Sequence, residues 1–306
     1  MKPLTRVSVV VPTIGRAILA DVIRRVVEQH PFELILVADA HQDRVHQAVA
    51  ASGHRADPRV RVIPGPGRGA ALARETGIDV ATGDVVLLLD DDIVPEPGLI
   101  DGHRAAQDAA PSRVVVGYIP IAPDLAHRSV AAAIYSNDYE RECDVLEEHP
   151  ELVLLALWGG NVSMHRSDCQ RVPHTVDNFR ARLLEDTEFG VRCALAGLDG
   201  IFDRRLRAVH YHDQSVSEFL ETSVRQMRDY EYLCTLYPEL TQLPDPALGM
   251  PRLARAALRA TRTRGLGPPL RRASVWAATR LGRGRPNPLR IKAVVFARAA
   301  VQLAPG

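Results

Sequence analysis

The residues with most to offer chemically are Asp90, Asp91 and Asp92, three consecutive carboxylates in the run LLLDDDIVPEPGLI (87–100). At the end of a buried strand they repel one another and lose hydration unless a cation neutralises them. Oxygen-rich sites of that kind suit Mg²⁺ or Mn²⁺, often shared with substrate phosphates. The alternative is an acidic turn whose carboxylates are simply solvated. Alternation along an extended segment puts Asp90 and Asp92 on one face and turns Asp91 away. A second pair, Glu185 and Asp186, opens the stretch EDTEFGVRCALAG (185–197), where helix capping is an equally good reason for acid. His210 and His212 flank Tyr211 at alternate positions, so both imidazoles face one way and could join a divalent ion. Gly65-Pro66-Gly67-Arg68-Gly69 precedes a helix and could turn backbone N–H groups toward phosphate. It lacks the lysine of a P-loop and the spacing of a dinucleotide fingerprint, so a plain loop is the competing reading. Arg74, one turn into that helix, is a phosphate partner or a surface ion-pair residue.

Short apolar runs alternating with amphipathic stretches must position these groups. The runs Val7–Val11, Glu33–Val37, Val60–Ile63 and Val85–Leu89 read as strands. Helical patterns cover Arg16–Gln29, Gln42–Ala51 and Gly69–Ala81. Runs apolar on both faces, in βαβα order, predict a parallel sheet covered by helices. Ligands of such open sheets sit beyond the carboxyl ends of the strands, and three of those ends carry Pro12-Thr13, Asp39 and the aspartate run. Beyond Val114–Tyr118 the pattern predicts a helix from Ser129 to Glu147. A second apolar run, Leu152–Leu157, ends in Trp158-Gly159-Gly160-Asn161, and Val162–Met164 continues it as a strand. A helix over Glu185–Ala196 is closed by Gly197. Short extended pieces follow at Gly200–Phe202 and Ala208–Tyr211, then a helix near Ser217–Tyr237. Three prolines and a glycine between Gln242 and Pro251 predict a linker.

Composition narrows the function classes. The chain has 306 residues, 46% hydrophobic and 25% charged, enough for a sizeable core. Its net charge of +1 hides a division: residues 251–306 hold 13 Lys and Arg and no acid, which leaves 25 basic and 37 acidic side chains before them. The acidic bulk argues against a protein built around nucleic acid. Cys143, Cys169, Cys193 and Cys234 have no metal-ligand spacing and read as buried, reduced thiols. The opening MKPLTRVSVVVP has too short an apolar run for a secretion signal, and no stretch reaches the roughly 18 apolar residues of a membrane span, so the expected location is the cytoplasm.

Taken in order, VSVVVPTIGR (7–16), RGAALARETGIDVATGDVVLLLDDD (68–92), WGGNVSMHRS (158–167), LEDTEFGVRCALAG (184–197) and the His210 region resemble the family 2 glycosyltransferases of the GT-A fold. The resemblance spans roughly residues 6–235. It implies an α/β fold, a Rossmann-like, mostly parallel sheet flanked by helices, here with a C-terminal helical extension. The expected boundaries are 1–241 for the catalytic domain, 242–251 for the linker and 252–306 for the extension. It implies transfer of a sugar from a nucleotide-diphosphate donor to an acceptor hydroxyl, with inversion and with Mn²⁺ or Mg²⁺. Position by position, Pro12 and Thr13 would line the nucleotide pocket and Asp39 would contact base or ribose. Arg74 and Asp91 fall with these nucleotide-binding residues. Asp90 and Asp92 match the metal-binding pair and His210 the histidine that completes it. Trp158, Gly159, Gly160, Asn161 and Glu185 would border sugar and acceptor, and Asp186 matches the catalytic base. The chain departs from the family's usual pattern at Ala40-His41-Gln42 and at Glu75. It lacks the motif of processive synthases, which implies transfer of a single sugar.

Of the rival readings one fails, and a sugar-phosphate nucleotidyltransferase or a non-catalytic nucleotide-sugar binder stays as the alternative. The run Asp90–Val94 fits a haloacid-dehalogenase-like nucleophile motif, but Lys2 and Lys292 are the chain's two lysines and neither can serve such a core site. A sugar-phosphate nucleotidyltransferase needs a glycine-rich basic loop after the first strand, of which PTIGR (12–16) is a poor version. A non-catalytic nucleotide-sugar binder would not need the aspartate pair, Asp186 and His210 together. In the tail, Arg252, Arg255, Arg259 and Arg262 form one helical stripe, and Leu289, Ala293, Phe296, Ala300 and Leu303 an apolar one. Docking on an anionic membrane, at the inner face of the cell membrane, and packing on the acidic catalytic part explain these stripes equally well.

Overall fold

A computed structural model describes residues 4–175, 183–241 and 244–304. The chain opens with β1 (Val7–Thr13), α1 (Leu19–Val27), β2 (Glu33–Ala38), α2 (Gln42–Ala51), β3 (Val60–Pro64), α3 (Ala70–Val80) and β4 (Val85–Leu89). Then come β5 (Ile93–Pro95), α4 (Leu99–Ala109), β6 (Arg113–Tyr118), α5 (Pro123–Arg128) and α6 (Val130–Glu148). A 3₁₀ turn (Pro150–Leu152) leads to β7 (Asn161–His165), α7 (Arg166–Arg171), α8 (Glu185–Leu195) and β8 (Asp199–His210). The remaining helices are α9 (Val216–Leu236), α10 (Arg252–Ala260), α11 (Gly267–Leu281) and α12 (Pro288–Gln302).

Among the described residues, eight strands share one sheet in the order β3-β2-β1-β4-β7-β6-β8-β5. Pairing is parallel for β1 with β2 and β4, β2 with β3, and β6 with β8. It is antiparallel where β7 meets β4 and β6, and where β5 meets β8. Every residue of β1, β2 and β4 is buried, as continuous apolar runs require in a sheet covered on both sides. Each Val or Leu so buried contributes about 1.5–3 kcal/mol.

The structure differs from the sequence expectation in identifiable places. The run Leu152–Leu157 is a 3₁₀ turn followed by turns, and the strand begins only at Asn161. The two short pieces expected around residues 200 and 208 are one strand, β8, whose pairing with β6 shifts register between Gly117 and Tyr118. Its polar middle, Asp203-Arg204-Arg205, hid it: Arg204 pairs with Asp144 and Glu147, so charge is tolerated there. The helices α4 and α11 carry no expectation from the sequence.

By compactness the chain forms two units. One comprises Met1–Pro120, Glu142–Arg180 and Glu185–Tyr211 and holds the sheet. The other comprises Ile121–Arg141, Ala181–Leu184 and His212–Gly306 and is helical where described. Residues 242 and 243 of the expected linker lie outside the described residues. In the helical unit, α9 begins with a capping box in which Ser215 and Glu218 satisfy each other's backbone N–H. Its Val216, Phe219 and Leu220 form a core with Val130 and Ile134 of α6, Ala278 of α11 and Val294 and Ala297 of α12.

In the sheet unit, α8 is held unusually close. A Cβ on Gly190 would sit 2.0 Å from the Leu154 carbonyl oxygen and 2.8 Å from the Leu157 Cβ. Gly190→Ala is therefore expected to cost about 1–3 kcal/mol of stability, read as a lower urea midpoint at constant slope. An unchanged midpoint would show that the helix can shift to make room.

Candidate active site

The first-strand end and the aspartate run are joined by Asp91, whose side chain is nearly buried. It accepts from the Thr13 hydroxyl at 2.7 Å, the Ile14 backbone N–H at 3.2 Å and Arg16 Nε at 2.9 Å. Burial, aided by the neighbouring Asp92, raises the Asp91 pKa, while Thr13 and Arg16 oppose the rise. Gly15, at φ +75°, lets the chain turn back so that its N–H reaches Thr13 Oγ1 at 2.9 Å. Pro12 lies opposite Val37 in the β1–β2 register, at the same carboxyl edge.

At that edge Asp39 follows the last residue of β2. Its carboxylate accepts from the N–H of Gly67 at 2.7 Å and of Gly69 at 2.8 Å. Those two loop amides are thus spent on Asp39, which closes the glycine-rich loop over the end of β2. The same loop delivers α3 and with it Arg74.

Arg74 has a relative exposure of 3%, so it is not a surface ion-pair residue. Its guanidinium spans two carboxylates: Nη1 donates to Asp186 Oδ1 at 2.6 Å and Nη2 to Asp90 Oδ1 at 2.7 Å. Glu185 Oε1 lies 3.9 Å from Nη1. Burial works against its charge, yet Asp186, Asp90 and Glu185 together raise its pKa.

Asp186, in the first turn of α8, keeps 24% side-chain exposure. Its Oδ2 accepts the Gly159 N–H at 2.9 Å. Burial raises its pKa and Asp90 adds to the rise, while Arg74 and the Gly159 N–H hold it back. Gly159 is required by packing, since a Cβ there would lie 2.4 Å from Asp186 Oδ1. A Cβ on Gly160 would meet Ile93 Cδ1 at 2.5 Å and Asp90 Oδ2 at 3.0 Å.

The three aspartates point to different partners, with Arg16 shared between Asp91 and Asp92. The strand ends at Leu89 and residues 91–92 form a turn, so two-residue alternation stops before it can align Asp90 with Asp92. Asp90 goes to Arg74, Asp91 to Thr13 and Arg16, and Asp92 toward His210. The last approach follows from register: Ile93 pairs with His210 across β5 and β8, and the Tyr211 N–H bonds the Asp92 carbonyl at 2.8 Å. His210 Nε2 lies 3.5 Å from Asp92 Oδ1, and Arg16 Nε lies 3.6 Å from Asp92 Oδ2. A carboxylate oxygen and an imidazole nitrogen at this separation are donor types that a divalent ion takes.

The remaining expected residues divide. Trp158 donates from Nε1 to the Gly117 carbonyl at 3.2 Å and meets Phe202 edge-on at 5.6 Å. Asn161 is fully buried. Its Nδ2 donates to the Leu206 carbonyl at 2.9 Å, and its Oδ1 lies 2.9 Å from His103 Nε2, so both ends of the amide are engaged in the protein. Burial lowers the His103 pKa to about 4, which leaves a neutral ring to bridge Asn161 and Ser163. Two residues at the site carried no assignment from the sequence. Arg16 ends the first motif and reaches both Asp91 and Asp92. His174, with a fully buried side chain, stacks on Phe189 at 4.5 Å with Nε2 3.9 Å from Asp186 Oδ1. Nothing local marks His174; its position depends on the fold.

Comparison with known proteins agrees with this geometry. Residues 8–152 match the family described as Glycosyl transferase family 2. No curated protein sequence matches the chain. Among solved structures, the chain is similar to the mannosyltransferase PcManGT from Pyrobaculum calidifontis, a structure in complex with GDP-Man and Mn²⁺. The TM-score is 0.60 at 19% identity, over 98% of this chain and 86% of that one. The matched segment carries β1 to β4 and the aspartate run of a family 2 glycosyltransferase, and the sheet has the GT-A architecture of the similar structure.

Proposed function

We propose that the chain is a family 2 glycosyltransferase that moves a single sugar from a nucleotide-diphosphate donor to an acceptor hydroxyl, with inversion and with a divalent metal. The observation that carries the reading is the Asp186 carboxylate. It is partly open, its proton affinity is raised by burial, and it is fixed by Arg74 and the Gly159 N–H beside Asp90. In this reading Asp186 takes the proton of the acceptor hydroxyl as that oxygen bonds to the anomeric carbon. The bond from that carbon to the nucleotide breaks on the opposite face, its electrons leaving with the diphosphate. Arg74 favours the anion of Asp186 and aims its open edge. Thr13 and Asp91 would line the nucleotide pocket with Pro12, Asp39 closing the loop beside them. Asp92 and His210 would hold the metal, with Asp90 nearby, and when bound it would supply charge against the departing diphosphate. Domain limits of 1–241, 242–251 and 252–306 belong to the same proposal.

The test is release of nucleoside diphosphate from a panel of nucleotide sugars with Mn²⁺, with Mg²⁺ and with EDTA. One donor is expected to turn over slowly with metal and to stop with EDTA. Asp92→Asn is expected to lower that rate by about 10²-fold or more, as loss of a charged partner at a metal–phosphate site does. Turnover unaffected by EDTA and by Asp92→Asn would remove metal dependence from the reading.

A further inference from the structure

The packing of the C-terminal helices leaves a surface with its own chemistry. Helix α12 packs inward on a face that only partly coincides with the expected stripe: Val294 and Ala297 enter the core with Ala278 and Phe219, Ala299 and Ala300 pack with Met250 and Leu258, and Leu289 stays exposed. Arg298 is likewise engaged, with Asp138 at 2.5 Å. The outer face of α11 is different. Pro269, Arg272, Trp276 and Arg280, spaced 3, 4 and 4 residues apart, are all exposed. Trp276 is 60% exposed, and the Arg280 guanidinium lies 4.9 Å above its ring. Leu266, Leu270 and, on α10, Leu253 are exposed as well. Beside Trp276 lies a groove of about 470 Å³ lined by Val224, Val275, Val301, Arg271 and Arg272.

Among the described residues, most of the charges around these apolar groups meet no acidic side chain. Among the described residues, Arg252, Arg255, Arg259, Arg262, Arg272 and Arg280 form no ion pair. Residues 251–306 contain 13 basic and no acidic side chains. A tryptophan between arginines on an exposed helical face has an apolar body, a polar edge and fixed positive charge around it. That combination suits the headgroup region of a bilayer, where indole rings settle and guanidinium groups meet phosphate. It offers little to a neutral partner, because the arginines would be dehydrated without compensation.

We propose that the outer face of α11, with Arg271, Arg272 and Arg280 around Trp276 and its apolar groove, docks on an anionic phospholipid surface. The helix would lie in the plane of the interface, with Trp276 and Leu270 entering the acyl boundary and the arginines on lipid phosphate. This goes beyond the transfer reaction and does not depend on it.

The experiment is flotation of the full chain with phosphatidylcholine vesicles, with and without phosphatidylglycerol, at low and high salt. Binding is expected only with phosphatidylglycerol and is expected to weaken with salt. Tryptophan emission should shift to the blue on binding, a change absent from Trp276→Phe. Trp276→Ser, and separately Arg272→Ser with Arg280→Ser, should each weaken binding about tenfold or more. The substituted positions are exposed, so far-ultraviolet circular dichroism should match the parent. No flotation with anionic vesicles, or flotation indifferent to both variants, overturns the proposal. So does binding to soluble heparin without binding to vesicles, which would mark a plain polyanion site.

Discussion

Asp186→Ala is expected to bind the sugar donor as the parent does and to lose transfer by a factor of roughly 10²–10⁴, the range a positioned general base supplies. The side chain is suited to that role by two opposed influences. Burial and Asp90 favour its protonated form, whereas Arg74 at 2.6 Å and the Gly159 N–H at 2.9 Å favour the anion. A carboxylate balanced in this way accepts a proton more readily than an exposed aspartate. Donor binding by isothermal titration, set beside transfer under single-turnover conditions, separates the two effects. Transfer within about threefold of the parent would remove Asp186 from the mechanism.

Arg74→Met is expected to be the most damaging substitution for stability, costing about 3–5 kcal/mol, the loss seen when one partner of a buried charge network is removed. Arg74 is almost fully enclosed, and its guanidinium is the counter-charge for Asp90, Asp186 and Glu185 together. Without it those carboxylates face one another in a poorly hydrated space. Urea unfolding measures the loss, read as a lower midpoint at constant slope. Arg74→Lys should recover only part of it, since an ammonium cannot reach both carboxylates with the fork that Arg74 uses. Adding Asp186→Asn to Arg74→Met should restore stability, because it deletes one of the stranded charges; a double mutant no more stable than the single one would contradict the network. Arg74→Met within about 1 kcal/mol of the parent would mean that solvent reaches the cluster.

Much of the fold was legible from local periodicity. The limits of α2 (Gln42–Ala51) and β4 (Val85–Leu89) were readable to the residue, and the βα order of the first half follows from runs apolar on both faces. These patterns are encoded within a few residues, because burial of a face is a property of the element itself. The acidic run, the Glu185-Asp186 pair and His210 were legible for the same reason, as residue types at strand and helix ends.

Which partner each side chain meets was decided by the tertiary structure. Neighbours in sequence, Asp90, Asp91 and Asp92 belong to three different contacts, because the strand stops at Leu89 and the turn aims each carboxylate separately. Asp92 meets His210 through the β5–β8 register, a pairing between segments more than a hundred residues apart. Arg74 could be a phosphate ligand or a surface residue on sequence grounds; the fold set it between Asp90 and Asp186 as a buried bridge. Asn161 carries a family motif, yet its amide is consumed by His103 and Leu206. In the tail the sequence determined an excess of positive charge, and packing determined which apolar face stays outside: α12 turns inward and Trp276 of α11 does not. Periodicity states that a face will be covered. Only the assembled chain supplies what covers it, since that depends on contacts whose sequence separation no local pattern records.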